Sequence, residues 1–227
     1  MLKTLWRKRA SQGMKRALTD LRNEWRTHRL HRQAARRASC YSKSQGLGLN
    51  LGCGDRMLPG WINVDLCAKA DLRLDLREPI PLPDGCSAII YCEHFLEHLK
   101  YPEEALPFLK ECRRLLATGG KLSIVVPDLA YAVAIYDNHK EDFRPWLEQT
   151  FRVKWEDFWF PEWCDAVGHV TSYIFHQNGE HKHLYDAESL SKVLVASGFS
   201  NVHQRDFDPA LDSASREHGC LYMDARK

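Results

Sequence analysis

The stretch from Leu47 to Leu66, LGLNLGCGDRMLPGWINVDL, constrains the fold of this chain more than any other. An apolar run leads into a Gly-Cys-Gly turn, and a second short apolar run ends at Asp65. An apolar run of this length between glycines is typical of a buried strand in a parallel sheet. Because glycine lacks a Cβ atom, Gly52 and Gly54 allow positive φ angles and a close approach of a ligand to the backbone. The stretch therefore predicts strand, ligand-binding turn and strand.

Asp65 occupies the end of the second predicted strand, Trp61 to Val64. A carboxylate at this place can accept hydrogen bonds from both hydroxyls of a ribose. A NAD-binding sequence would carry a third glycine, a full helix after it, and an acid about 20 residues further on. Here Met57 stands where the third glycine would be, and the acid follows much sooner. The spacing therefore disfavours a NAD-type site.

The combination of strand, G-x-G, strand and terminal acid resembles the class I S-adenosylmethionine (SAM) dependent methyltransferases. In that family the glycine-rich loop passes under the methionine part of SAM, and the acid holds the ribose. The resemblance implies SAM as the cofactor, bound by Gly52, Cys53, Gly54, Asp65 and Leu66. The link between the two strands is too short for a complete first helix. In this it is similar to a compact subgroup of predicted methyltransferases often linked to bacterial surface glycans.

A second part of the resemblance is L-D-L…P-x-P-D-G…I-I-Y-C-E-H-F-L-E-H-L. Alternation from Ala70 to Leu76 predicts a short third strand, and the apolar run Ala88 to Cys92 predicts the next buried one. In the resembled family an acid placed like Asp75 contacts the adenine amino group, and the backbone of a residue like Leu76 lies along the ring. Glu93 is assigned to the cofactor site on the same resemblance. The alternative for Asp75 is an acid that caps a turn.

His94 and His98 follow that strand at its carboxyl end, which faces the ligand crevice in an open α/β sheet. If the segment is helical, a spacing of four places both side chains on one face, which suggests a metal site as an alternative. The acid is misplaced for H-E-x-x-H and no third ligand is evident, so the sequence predicts no metal site. His98 is expected to be structural. His94 is expected either to form a wall of the cofactor pocket or to act as a catalytic base.

The pattern L-K-E-C-R-R-L-L-A-T-G-G-K-L-S-I-V-V-P-D closely resembles the family's helix and fifth strand. An apolar stripe at helical spacing predicts a helix from Pro102 to Ala117, and the strand Lys121 to Val126 follows. Asp128 then falls at the carboxyl edge of the sheet, beside the predicted methyl donor. We expect it to orient the substrate or to act as a base, or else to cap the helix that follows.

Residues 129–184 interrupt the alternation of strands and helices and are rich in aromatic side chains. In the resembled family, substrate caps are inserted in this interval. The side chains could form a pocket wall, stack on a sugar or form the core of the cap, and the last is favoured slightly. They are Phe143, Trp146, Phe151, Trp155, Phe158, Trp159, Phe160, Trp163 and Phe175.

The segment G-E-H-K-H-L-Y-D again resembles class I methyltransferases, in which a histidine placed like His181 faces the active site. Asp186 is the expected N-cap of the next helix. Residues 201–207 and 219–224 are expected as an antiparallel pair. The resemblance implies an α/β, Rossmann-like, doubly wound and mostly parallel seven-stranded sheet of the class I methyltransferase type over residues 41–227, with 129–184 as the cap.

Residues 1–40 differ in charge from the rest of the chain. They hold twelve Lys or Arg and two acids, a charge of +10, and because the whole chain carries +2 the remainder carries −8. Met14, Leu18, Leu21 and Trp25 recur at helical spacing, which predicts a basic amphipathic helix. Such a helix could pack on the domain, lie on an anionic membrane or bind nucleic acid, and a basic start of this kind is also compatible with a transit peptide.

Composition narrows the remaining choices. A chain of 227 residues with 44% hydrophobic content suits one α/β domain. No apolar run approaches the roughly 18 residues that span a bilayer. Eight cysteines without a C-x-x-C pair argue against a zinc site and a disulfide framework, so a reducing cytoplasm is expected, with attachment to the inner face of the membrane as an option.

The leading interpretation is an enzyme that transfers a methyl group from SAM to oxygen or nitrogen of a small-molecule or glycan-type acceptor. His94, Asp128 and His181 are expected to converge on the methyl donor, with at least one histidine as the base for a hydroxyl acceptor. The alternative is a non-catalytic SAM-fold module that docks to a membrane or partner enzyme through its basic head. A nucleic-acid substrate is disfavoured, since no N/D-P-P-Y/F motif is present and the body is acidic.

Overall fold

The structure is a computed structural model that describes residues 10–138, 143–157 and 160–227. Its helices within these ranges are α1 (Gln12–Ala38), α2 (Ala105–Leu115), α3 (Leu129–Asn138), α4 (Phe143–Phe151), α5 (Val167–His176) and α6 (Ala187–Ala196). Its strands are β1 (Leu47–Leu51), β2 (Ile62–Val64), β3 (Ser87–Glu93), β4 (Leu116–Pro127), β5 (Ser200–Gln204) and β6 (Cys220–Arg226).

One mixed sheet organises these elements, in the order β2-β1-β3-β4-β6-β5. The first four strands are parallel, β6 is antiparallel to β4, and β5 is antiparallel to β6. The predicted α/β class, the parallel core and the antiparallel terminal pair are confirmed. Because Cys220 at the start of β6 pairs with Pro127 at the end of β4, the start of β6 lies at the same edge as the carboxyl ends of the parallel strands.

The third predicted strand, Ala70 to Leu76, does not form, and the described residues build six strands rather than seven. Only Leu72 bridges to Val64. The N–H of Leu74 then turns back to the carbonyl of Leu72 at 3.0 Å. The next ladder donor, the N–H of Asp75, donates instead to Nδ1 of His31 in α1 at 3.2 Å. A side chain from α1 thus takes the place of a neighbouring strand.

Helices cover one face of the sheet. The end of α1, together with α2 and α6, shares one apolar core with strand residues such as Leu49, Ile90 and Ile124. Side chains that point the other way, Tyr91 and Val125 among them, are covered by loop residues including Leu58, Trp61, Phe207 and Leu211. In the described part of the chain the arrangement is therefore not doubly wound, because the link between β1 and β2 is too short to supply a helix.

Two local predictions near the site are confirmed with small shifts in their bounds. The helix expected from Pro102 to Ala117 is α2, and β4 follows it directly. Gly119 and Gly120 lie where the pairing of β4 with β3 shifts its register, between Leu116 opposite Ser87 and Lys121 opposite Ile89. Asp186 caps α6 in a reciprocal capping box with Ser189, whose N–H donates to the Asp186 carboxylate at 2.8 Å. This cap fixes the segment that returns from the insertion to the sheet.

The insertion has an apolar core of its own, built from α3, α4, α5 and their links. Buried Ile135, Phe143, Leu147, Val170 and Tyr173 form its centre. Several aromatic residues of the predicted cap pack against it, as expected for a cap core: Trp146, Phe151, Trp155 and Phe160. Phe158 and Trp159 lie outside the described residues.

Helix α1 is anchored to the domain from its middle to its C-terminal end. Ala34 and Ala38 are buried in the main core, and Glu24 accepts from Arg77 at 3.0 Å. The boundary expected at residue 40 therefore falls inside one packed unit. At the first half, Met14, Leu18, Leu21 and Trp25 lie outside the apolar core. In the part of the chain that the structure describes, no helix combines the length and apolarity that crossing a membrane requires.

We expect Ala38→Asp to lower the free energy of unfolding by about 3 to 5 kcal/mol, the cost of an unpaired charge in the core. Ala17→Asp places the same charge on the exposed part of the same helix and should change it by less than about 0.5 kcal/mol. Urea unfolding of both variants measures the difference. Equal losses would contradict the docking of α1.

Candidate active site

The glycine turn after β1 is tied to Asp65 by backbone hydrogen bonds. The N–H of Gly54 donates to Oδ2 of Asp65 at 3.0 Å, and the N–H of Cys67 donates to Oδ1 at 2.8 Å. The N–H of Gly52 donates to the carbonyl of Val64 at 2.8 Å, which joins the turn to the end of β2. Each Asp65 oxygen keeps a further lone pair, so the carboxylate can hold the turn and still accept from two hydroxyls.

The two glycines have left-handed backbones but different surroundings. Their φ angles are 72° at Gly52 and 51° at Gly54. A Cβ atom on Gly52 would lie 2.4 Å from Cβ of Phe95, whereas one on Gly54 would meet nothing within 4 Å. Gly52 is required by packing against the turn after β3. Gly54 leaves open space above the loop, where a ligand can approach the backbone.

A cleft lies beside this loop, and four of the predicted cofactor residues line it. These four are Asp65, Leu66, Asp75 and Leu76. Gly52, buried Cys53 and Gly54 form the adjoining turn and are not among the lining residues. Other walls come from residues that sequence reasoning did not assign to the cofactor: Leu74, Arg77, Phe95, His98 and Leu99.

Glu93 faces away from this cleft, unlike the other predicted cofactor residues. Its carboxylate accepts from Arg56 at 3.3 Å and from the N–H of Ser213 at 3.0 Å. Arg56 also donates to the carbonyl of Leu211. These contacts lie on the loop-covered face of the sheet. The side chain of Glu93 is therefore engaged in joining the loops of that face to β3.

Asp75 is buried and its carboxylate is paired with Arg77, with 2.8 Å between Nη2 and Oδ2. Arg77 also pairs with Glu24 of α1. Burial alone would raise the pKa of Asp75, but the hydrogen bonds and charge of Arg77 outweigh it and hold that pKa below its usual value. Asp75 is thus an anion whose acceptor sites are shared with α1 through Arg77, and adenine binding by it stays a prediction.

A second cavity lies between the cap and the same edge of the sheet. All three predicted catalytic side chains line it, those of His94, Asp128 and His181. They come from the ends of β3 and β4 and from the segment that returns from the cap. The apolar walls come from both the cap and the sheet, and include Tyr131, Ile135, Leu147, Phe151, Phe160, Tyr173 and Ile174.

Buried polar atoms in this cavity have no protein partner. Neither the hydroxyl of Tyr131 nor Oε1 of Gln177 makes a hydrogen bond within the described ranges. Burial raises the pKa of Tyr131 to about 12, so its hydroxyl stays protonated and can donate. Asp128 accepts from the N–H of Ala130 at 2.9 Å and so caps α3, which is one of the three roles expected for it. Since unpaired buried polar groups are costly, these atoms suit a polar ligand.

His94 is held at both ring nitrogens. It has a left-handed backbone, with φ of 51°. Its Nδ1 lies 3.2 Å from Oε1 of Glu97, and its Nε2 lies 3.2 Å from Sγ of Cys220. Burial raises the pKa of Cys220 to about 12, so the thiol stays protonated beside Nε2. Both ring nitrogens of His94 therefore have protein neighbours, Glu97 and Cys220.

Glu97 and Cys220 were missed by sequence reasoning. Burial favours a protonated Glu97, but the proximity of His94, and of His98 after it, outweighs burial and lowers the pKa of the carboxyl. The spacing of three between His94 and Glu97 could have indicated the pair. The position of Cys220 carries no such signal, because it depends on the antiparallel pairing of β6 with β4.

His181 stands where the two cavities approach each other. Its Nδ1–H donates to the carbonyl of Ile174 at 2.6 Å. Burial lowers the pKa of His181, so the ring is neutral and its Nε2 carries a lone pair. The ring contacts His98 edge to face, with 5.2 Å between the centroids. His181 lines the cap cavity and His98 lines the cleft, so this contact joins the two.

Comparisons with known proteins identify the class of protein to which this chain belongs. A family profile described as "Methyltransferase domain" matches residues 21–204, and the chain belongs to this family. It is a SAM-dependent methyltransferase of the class I fold, with SAM as methyl donor. Curated protein sequences provide no match.

Several solved structures are similar to the chain. A SAM-dependent methyltransferase from Archaeoglobus fulgidus is 17% identical, with 90% of this chain and 94% of that one covered and a TM-score of 0.49. A methyltransferase from Mesorhizobium loti is 16% identical, with 87% and 98% covered and a TM-score of 0.48. The 1,6-didemethyltoxoflavin-N1-methyltransferase of Burkholderia thailandensis is 15% identical, with 92% and 83% covered and a TM-score of 0.46.

Two alanine substitutions test the glycine turn. Gly54→Ala should cost about 1 to 2 kcal/mol of stability, because only the left-handed backbone opposes it. Gly52→Ala carries the same backbone cost and adds the clash with Phe95, worth about 1 to 3 kcal/mol more. Chemical unfolding measures both. If Gly52→Ala proved no worse than Gly54→Ala, Phe95 would not lie against the turn.

Proposed function

We propose that this methyltransferase transfers the methyl group of SAM to an oxygen or nitrogen atom of a small-molecule or glycan-type acceptor held in the cap cavity. SAM would occupy the cleft beside the glycine turn, with its ribose on Asp65. The observation that carries this proposal is the turn after β3, whose residues line both spaces. His94 contributes to the cap cavity, while Phe95 and His98 contribute to the cleft.

The cofactor fits the cleft on three features of this chain. Gly54 leaves its backbone open, Asp65 has lone pairs to accept from the ribose hydroxyls, and Leu66, Leu74 and Leu76 give the cleft apolar walls. When bound, SAM supplies a methyl group already activated by its sulfonium. The protein then has mainly to align the donor with the acceptor and to exclude water.

The cap cavity supports an acceptor with a flat or apolar body and a few polar groups. Its aromatic walls, among them Phe151 and Phe160, can stack on a ring or on the apolar face of a sugar. Tyr131 can donate to the acceptor, and Asp128 lines the same space. A glycan-type acceptor, as in the compact subgroup that the sequence resembles, would match this combination of aromatic surface and hydrogen-bonding groups.

Substitution of Asp65 tests the cofactor site. Asp65→Asn keeps the shape and one acceptor oxygen but loses the charge and the second acceptor. We expect the affinity for S-adenosylhomocysteine (SAH), measured by calorimetry, to fall about 10- to 150-fold, which is about 1.5 to 3 kcal/mol. Asp55→Asn is the matched control, because Asp55 follows Gly54 but is exposed and paired with Lys69.

Unchanged SAH affinity in folded Asp65→Asn would remove Asp65 from the cofactor site. If the wild-type chain binds SAH but transfers no methyl group to any acceptor of a broad panel of hydroxyl and amino compounds, including sugars, the non-catalytic module becomes the better description. These two results concern different parts of the proposal and can be told apart.

We also propose that the N-terminal half of α1, from Gln12 to Trp25, lies on an anionic membrane surface. Met14, Leu21 and Trp25 are 56%, 66% and 67% exposed, a large apolar surface for a short segment. Exposed arginines, including Arg22 and Arg26, surround them and complement a negative surface. Each basic residue near such a surface contributes about 1 kcal/mol, and salt screens this attraction.

Sedimentation of the full chain with vesicles tests the membrane proposal. We expect binding to vesicles that contain anionic phosphatidylglycerol, weaker binding at high salt, and at least a tenfold loss in Leu21→Gln/Trp25→Gln. Val195→Gln, which removes an equally exposed apolar residue of α6, is the control. Point variants are preferable to a chain starting at Tyr41, which would lose Ala34 and Ala38 from the core. Equal sedimentation of the wild type and the double variant would contradict the proposal.

A further inference from the structure

Three side chains at the boundary of the two cavities form a cluster of potential metal ligands. One ligand atom from each of Glu97, His98 and His181 lies within 4.8 Å of the other two. Glu97 is fully buried. Neither of its oxygens makes a well-aligned hydrogen bond in the described part of the chain, although Oε1 lies 3.2 Å from Nδ1 of His94. A buried carboxylate in this state needs a cation or a strong donor.

Both histidines are oriented by backbone carbonyls. Nδ1 of His181 donates to the carbonyl of Ile174 at 2.6 Å, and Nδ1 of His98 lies 3.2 Å from the carbonyl of Glu180. With the proton on Nδ1, the lone pair of each ring is on Nε2. Metal-binding histidines are characteristically held in this way, since the second hydrogen bond fixes the tautomer and the ring.

The backbone holds the cluster together. The carbonyl of Glu97 accepts from the N–H of Lys182 at 2.8 Å and from the N–H of His183 at 3.2 Å. The segment that carries His181 is thereby fastened to the short helical turn Leu96–His98. The three side chains are thus placed by the fold before any ligand arrives, as a metal site requires.

We propose that Glu97, His98 and His181 bind one divalent first-row metal ion, of the zinc type. Two imidazoles and one carboxylate suit such ions better than Mg²⁺ or Ca²⁺, which prefer oxygen ligands. Three protein ligands also leave a coordination position open, as catalytic sites do. The sequence predicted no metal site, because the pair weighed there was His94 with His98 and neither a suitably placed acid nor a third ligand was evident. The fold instead brings Glu97 and His181 to His98.

The place of the cluster gives the ion a chemical role, which rests on the proposed function. His98 lines the cleft and His181 lines the cap cavity, so the ion lies between donor and acceptor. An acceptor hydroxyl bound at the open position would have its pKa lowered. Its O–H bond breaks with the proton leaving to solvent, and an O–CH₃ bond forms as the S–CH₃ bond of SAM breaks to give SAH. This selects hydroxyl over amine acceptors.

The test uses the full chain, stripped with a chelator and titrated with Zn²⁺ or Co²⁺ alone. We expect one equivalent to bind, and the Co²⁺ form to show d–d absorption without a thiolate-to-cobalt charge-transfer band, because the ligands are nitrogen and oxygen. Glu97→Gln and His181→Gln should each weaken binding by more than about 100-fold, since even loss of a residue that only orients a ligand costs about 10- to 100-fold. His183→Gln on the same segment is the control.

His98→Gln provides a third variant at a partly exposed position if Glu97→Gln fails to fold. Less than one equivalent of metal on the wild type, a thiolate band in the Co²⁺ form, or unchanged affinity in folded ligand variants would each overturn the metal site. Methyl transfer by a metal-free chain would overturn the proposed role of the ion, while leaving the methyltransferase proposal in place. Loss of SAH binding with metal binding intact would instead count against the cofactor cleft alone.

Discussion

The parallel pairing of β2, β1, β3 and β4 is the constraint on which the site depends. Parallel strands bring their carboxyl ends to one edge, so Gly52, Asp65, His94 and Asp128 meet there although they are far apart in sequence. The antiparallel β6 adds Cys220 at the same edge. The cap then covers this edge of the sheet, and α1 packs beside it through His31 and Glu24.

The short link between β1 and β2 has consequences across the molecule. Without a helix there, the second face of the sheet is covered by loops, whose polar contacts take Glu93 out of the cofactor cleft. On the cleft side, α1 supplies His31 as the acceptor for the N–H of Asp75 and reaches the Asp75 carboxylate through Glu24 and Arg77. Helix α1 is therefore joined to the residues beside the cleft through His31 and Glu24.

Local signals were enough to predict the glycine turn, the position of Asp65 directly after β2, the cap of α6 and most strands, because each depends on neighbouring residues. The predicted third strand was wrong because the N–H of Asp75 donates to the side chain of His31, 44 positions away, and not to a neighbouring strand. The meeting of Glu97 with His181, and of His94 with Cys220, likewise depends on how distant segments are fastened together. The cofactor-binding roles of Asp75 and Glu93 stay predictions. The catalytic roles of His94, Asp128 and His181 also stay predictions.

A crystal structure of the full chain with SAH tests the central claim most directly. The account predicts that both ribose hydroxyls lie within hydrogen-bonding distance of the Asp65 carboxylate, that the methionine part passes over Gly54, and that the sulfur points toward the cap cavity at His181. Binding of SAH anywhere else, or a sulfur directed away from that cavity, would contradict it.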